Sequence, residues 1–214
     1  MTRQRILAVL VAAIGWGGLG LQLWLSMIDM TANGFSPGAA LWRYLGYFTI
    51  LTNLLVAIVA TRAAIRPEAR GGVNDPRFEM AVAAAILIVG IVYGVLLSGL
   101  VQLEGGREVA NILLHRVQPL LFALLWWTRR TGRLAWRDTL WAPALPAAYA
   151  VYALARGRAE GWYAYWFFDA GKLSAGELAR NSVAMLAVTL LVGAALVWAD
   201  RRKAAIAPRL HPAR

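Results

Sequence analysis

The residues able to do chemistry stand in a few short groups. Arg43, Thr49, Thr52 and Asn53 lie on one apolar segment. Asn111, His115, Arg116 and Gln118 lie on another. Arg180, Asn181 and Ser182 lie on a third, with Asp169 and Lys172 just ahead of it. The i, i+4 spacing puts Thr49 and Asn53 on one helix face, and i, i+4, i+7 puts Asn111, His115 and Gln118 on another. On the first apolar segment Gln22, Ser26 and Asp29 share a stripe with Gly18. His115 is the one histidine within such a segment; His211 sits in a basic tail and reads as inert.

These residue types narrow the chemistry. The chain has no cysteine, which removes thiol nucleophiles, zinc–thiolate sites and iron–sulfur clusters. One histidine cannot ligate a haem from two sides. No Asp or Glu lies deep in an apolar segment to complete a metal site or a proton relay. No metal and no diffusible cofactor is therefore expected. What remains is a hydroxyl nucleophile activated by a neutral imidazole. Thr49, Thr52 and Ser182 have suitable depth. The plainer reading is that Asn, Thr and Ser here make interhelical hydrogen bonds, worth about 0.6 kcal/mol each. Gly90, Gly94 and Ser98 read as a small-residue packing seam of that kind.

The elements that must position these groups follow from composition. Of 214 residues, 60% are hydrophobic and only 15% charged, with a mean hydropathy of +0.56. Soluble domains are about 45–50% apolar and about 25% charged. A disordered chain and a basic nucleic-acid-binding domain are excluded, so no nucleic-acid partner is expected; the lipid bilayer is the solvent. A membrane-crossing helix needs about 20 mostly apolar residues. Six segments qualify, at 6–28, 39–64, 78–101, 110–128, 139–155 and 175–199, which makes 1–214 one all-α, six-helix transmembrane domain. Pro143 and Pro146 fall in the first turns of the fifth segment, where proline is tolerated.

The net charge of +11 is then an orientation signal. Arg3 and Arg5, the cluster Arg62 to Arg77, the cluster Arg129 to Arg137 and the tail Arg201 to Arg214 all fall on one side. Arg107, Arg156, Arg158 and Lys172 fall on the other. Both termini should be cytoplasmic. Abundant Arg, Ala and Gly with only two Lys fit a GC-rich bacterial genome, hence a bacterial cytoplasmic membrane. With this topology Thr49, His115 and Arg180 converge on the outer half of the bilayer, around a polar chamber opening outward. Tryptophans mark the span ends, except Trp16, which sits mid-span.

Tyr47-Phe48-Thr49-Ile50-Leu51-Thr52-Asn53, Asn111-Ile112-Leu113-Leu114-His115 followed by Pro119, and Tyr165-Trp166-Phe167-Phe168-Asp169 resemble the androgen-induced membrane protein family, in particular its bacterial six-helix relatives. Eukaryotic members hydrolyse fatty acid esters of hydroxy fatty acids with an intramembrane threonine and a histidine. The resemblance implies Thr49 as nucleophile and His115 as base, with Thr52 as the runner-up nucleophile. Asp169 stands where animal members carry Glu, and Thr52-Asn53 follows the bacterial pattern. The expected function is hydrolysis of long-chain lipid esters. In it, Asn53 or Asn111 orients the imidazole or donates to the oxyanion and Arg180 supplies positive charge there. Arg43, Lys172 and Asp169 at the rim contact substrate. The alternative is a non-catalytic protein that binds or carries a lipid or small amphiphile.

Overall fold

The computed structural model describes residues 2–100 and 102–206. Arg209, His211 and Arg214 lie outside the described residues, as does position 101, the expected end of the third span. The described chain is all-helical, with 80% of residues in helices and no strand. Seven helices follow in order: α1 Arg3–Ala32, α2 Pro37–Tyr44, α3 Phe48–Ile65, α4 Pro76–Leu97, α5 Gly106–Arg129, α6 Ala144–Glu160 and α7 Ala175–Ile206. Five of them (α1, α3, α4, α5 and α7) are long and apolar enough to cross a membrane, the mark of a multi-pass membrane protein.

α4 is the centre of the bundle. Its run from Met80 to Val89 is buried except for Leu87, because α3, α5 and α7 all pack against it. A helix apolar all round is one covered on every side. α1 lies along α3. There Trp16, the mid-span tryptophan, donates its indole N–H to Thr61 Oγ1 at 3.0 Å. In lipid an indole N–H needs such a partner inside the protein.

Two expected spans differ from the observed helices. The segment 39–64 is not one helix: it breaks at Leu45–Tyr47 between α2 and α3. Gly46 sits in the break, where no larger residue fits. A Cβ there would lie 2.6 Å from the Trp162 ring, 2.8 Å from the Arg156 guanidinium and 3.0 Å from the Arg43 carbonyl oxygen. The carbonyls freed by the break are satisfied from α6: Tyr149 donates to Gly46 O at 2.9 Å and Tyr152 to Leu45 O at 3.2 Å. Unpaired backbone groups in an apolar interior cost too much to leave open.

The segment 139–155 is displaced. Residues 136–141 form a 3-10 turn, and α6 runs from Ala144 to Glu160 with Pro143 at its N-cap. Arg156, expected in a loop, is therefore a buried side chain of α6. Its guanidinium lies over Trp42 at 4.2 Å, and its Nε donates to Glu160 at 2.9 Å.

At the opposite end of the bundle lies an ion pair buried on both sides. Arg129 Nη2 donates to Glu79 Oε1 at 2.8 Å, both side chains being almost fully enclosed. Asn74 donates to the same carboxylate at 2.7 Å, and Arg129 also donates to the carbonyls of Pro67 and Ala69. Arg129 is thus a structural residue as well as a member of the basic loop.

Candidate active site

The site is built where α3 begins and α5 is distorted. Because α2 and α3 are separate, Thr49 occupies the first turn of α3, after the cap residue Tyr47. Its N–H has no partner within the helix and points along the positive end of the helix dipole. That N–H donates to the Tyr165 hydroxyl oxygen at 3.4 Å.

His115 lies within a π-helical turn of α5, Leu113–Val117. Pro119 supplies the cause. It has no N–H, so neither His115 O by α-helical pairing nor Leu114 O by π-helical pairing finds a donor there. Gln118 N–H instead donates to Leu113 O, and Asn53 reaches across from α3 to donate to Leu114 O at 3.2 Å. Gly90 of α4 admits the widened turn: a Cβ there would sit 3.3 Å from both His115 O and Pro119 Cβ. Of the expected Gly90, Gly94 and Ser98 seam, Gly90 alone packs so closely; a Cβ on Gly94 would meet nothing within 4 Å and Ser98 is exposed.

These two distortions bring Thr49 Oγ1 to 3.2 Å from His115 Nε2. The other ring nitrogen, Nδ1, lies 3.1 Å from the Asn111 carbonyl oxygen. A carbonyl can only accept, so Nδ1 carries the proton and Nε2 presents its lone pair to the threonine hydroxyl. The imidazole is clamped on its face by the Tyr93 ring, 4.4 Å between centroids. Asn111 in turn donates its side-chain amide to the Tyr93 hydroxyl. Thr49 is buried and His115 part-buried.

Tyr165 completes the group. Its hydroxyl lies 3.4 Å from Thr49 Oγ1 as well as from the Thr49 nitrogen, and its ring stacks on Phe167. Asn181 holds this turn by donating to Phe167 O at 3.0 Å. Burial pushes the Tyr165 phenol above its ordinary value, so it remains a proton donor at neutral pH. A cavity of about 400 Å³ opens in front of Thr49 and His115, lined also by Gln22, Ser26, Tyr47 and Tyr93.

The expected site residues divide clearly. Thr49, His115, Asn53 and Asn111 come together. However, the Asn53 amide is taken by Thr49 O and Leu114 O, and the Asn111 amide by Tyr93. Asn53 thus braces the backbone of the pair, and Asn111 holds the Tyr93 ring that packs on the imidazole. Of Asn111, the main-chain carbonyl holds the imidazole. Thr52 is buried and lines neither this cavity nor its neighbour on the other side of Thr49. Arg180 is exposed and acts on Glu177, one turn away on its own helix. Arg43 stacks over Trp162 at 4.0 Å. Lys172 is exposed and pairs with Asp169 at 3.6 Å. Tyr165 and Tyr93 are absent from the sequence-based set. Tyr165 opens the Tyr-Trp-Phe-Phe-Asp stretch, but a tyrosine near a span end reads equally as an interfacial anchor.

Fold and site together define a helical membrane protein with a threonine–histidine pair enclosed in its bundle. No family model matches the chain, and no solved structure matches it. It is 33% identical over 106 residues to the lysylphosphatidylglycerol biosynthesis bifunctional protein LysX of Mycobacterium leprae, from two strains. That match takes in 49% of this chain and 8% of LysX, so the chain spans less than a tenth of the relative's length.

Proposed function

We propose that the protein is an intramembrane hydrolase of long-chain lipid esters, with Thr49 as nucleophile and His115 as general base. The observation that carries this is the Thr49–His115 pair at 3.2 Å, with the imidazole held in the tautomer that accepts the hydroxyl proton. Thr49 Oγ1 attacks the ester carbonyl carbon while its proton passes to His115 Nε2. Tyr165 O–H and Thr49 N–H donate to the oxygen that becomes negative, as preorganised donors do at an oxyanion. The tetrahedral intermediate collapses, the C–O bond to the alcohol breaks, and His115 returns the proton to the leaving alkoxide. Water then enters the cavity and gives a proton to His115, and its oxygen attacks the acyl-threonine. The carboxylic acid leaves as Thr49 regains its proton.

The reading places the chain among the bacterial relatives of the androgen-induced membrane protein family, on the three motifs quoted above. The name of LysX refers to a lipid, which is consistent with a lipid substrate here. We read α6 as a sixth span and α2 as a helix at the membrane boundary. The 17 residues of α6 reach about 25 Å at 1.5 Å per residue, close to the ~30 Å hydrocarbon core. With α6 counted as a span, the loop arginines support a reading with both termini in the cytoplasm and a bacterial inner membrane as the bilayer. The test is hydrolysis of p-nitrophenyl palmitate by the purified protein in detergent. Turnover by wild type, lost in both Thr49→Ala and His115→Ala, supports the reading. Full activity in either variant overturns it.

A further inference from the structure

Thr49 lines two cavities that differ in width and in their polar groups. On one side is the cavity of about 400 Å³, with Gln22, Ser26, Tyr93 and His115 in its lining. On the other is a narrow space of about 30 Å³ whose walls include Phe48, Val89, Val92 and Phe167. Thr49, Leu97 and Tyr165 line both. The narrow space does not end there. Pro146, Phe168 and Met185 also line a third cavity of about 140 Å³ between α6 and α7, where Ala147 and Ala150 leave room. Ser182 is the one hydroxyl in that third lining, and it donates to Leu178 O of its own helix at 2.8 Å. Nearby on the same two helices Val151 and Val183 are exposed, as side chains facing lipid are.

We infer that the narrow space and the α6–α7 cavity form one tunnel for the unbranched acyl chain of the substrate, and that the larger cavity takes its alcohol half. The inference rests on Thr49 being the nucleophile. The direction follows from His115. The imidazole must protonate the leaving alkoxide, and it lines the larger cavity and not the narrow one. The alcohol therefore departs on the His115 side, through the wider space, where Gln22, Ser26 and Tyr93 offer polar groups, and the same space admits the water for deacylation. The acyl group stays bonded to Thr49 Oγ1 and must lie on the opposite side. There the aromatic and aliphatic walls match a methylene chain, and a space of only about 30 Å³ next to Thr49 favours an unbranched one. The substrate class is an ester of a straight long-chain acid with a broader, partly polar alcohol.

The test compares p-nitrophenyl palmitate with p-nitrophenyl butyrate on the full chain in detergent. In Ala150→Phe the new ring fills the α6–α7 cavity, and the palmitate-to-butyrate ratio of kcat/KM falls at least tenfold. Ala147→Leu shifts it in the same direction by a smaller factor and serves if the phenylalanine variant does not fold. A ratio unchanged in folded variants overturns the tunnel. A second readout needs no catalysis. Palmitate with a terminal diazirine, photolysed on the wild-type protein, should label peptides of 144–160 or 175–202. Label on α1 or on residues 102–105, or no label, overturns the tunnel. If neither ester is turned over, the hydrolase reading fails, and the labelled position still decides the tunnel.

Discussion

Thr49 Oγ1 lies 3.2 Å from His115 Nε2 across 66 residues of sequence. The contact depends on two irregular pieces of backbone, the break at Gly46 and the π turn at Leu113–Val117.

The pair itself is tested by substitution and by covalent labelling. Removing the imidazole in His115→Ala should lower ester turnover by roughly 10²- to 10⁴-fold, the usual worth of a positioned base. A fluorophosphonate should label wild type and Thr52→Ala but not Thr49→Ala, read by mass spectrometry of the α3 peptide. Labelling that survives in Thr49→Ala assigns the nucleophile elsewhere.

Tyr165→Phe keeps the ring on Phe167 and removes only the hydroxyl near Thr49. One lost oxyanion donor costs about 10²–10³ in kcat, and KM should change little. Its raised phenol also fixes the sign of a pH effect. Any alkaline loss of rate from its ionisation should fall above about pH 10, the ordinary tyrosine value. A Tyr165→Phe variant with wild-type kcat rules out this role.

Pro119→Ala restores the N–H that α5 lacks. The new donor should pair with His115 O and draw the π turn back toward α-helix. We expect at least a tenfold loss of turnover with no loss of thermal stability, since a backbone hydrogen bond is gained. Unchanged activity would show that the π turn does not set the imidazole position.

Arg129→Met removes the ion-pair partner of the buried Glu79 carboxylate and leaves Asn74 as its hydrogen-bond donor. Breaking a buried pair by removing one partner typically costs about 3–5 kcal/mol. Thermal unfolding in detergent should show a large drop in midpoint, whereas Thr49→Ala should leave it nearly unchanged. Equal midpoints for Arg129→Met and wild type would mean that the pair contributes nothing to stability.

The sequence by itself determined the solvent and the all-helical class, and it singled out His115 while leaving Thr49, Thr52 and Ser182 open as its hydroxyl partner. A run such as Met80–Val89, apolar on every face, belongs inside a membrane bundle. A lone intramembrane histidine, together with threonines on an apolar segment, left one kind of chemistry. These are properties of composition and of spacing along a single helix, so they are legible from one chain. The tertiary structure decided what touches what. Arg180 and Asn181 are adjacent in sequence, yet one faces outward and the other braces the Tyr165 turn. Tyr165 reads as an interfacial anchor until the 161–174 loop is seen folded onto Thr49. Thr49 itself has an N–H with no partner inside its own helix, and so open to Tyr165, only because the chain breaks at Leu45–Tyr47 and a new helix starts at Phe48. A helix face fixes direction within one element, but donors and acceptors from different elements meet only where packing breaks that regularity.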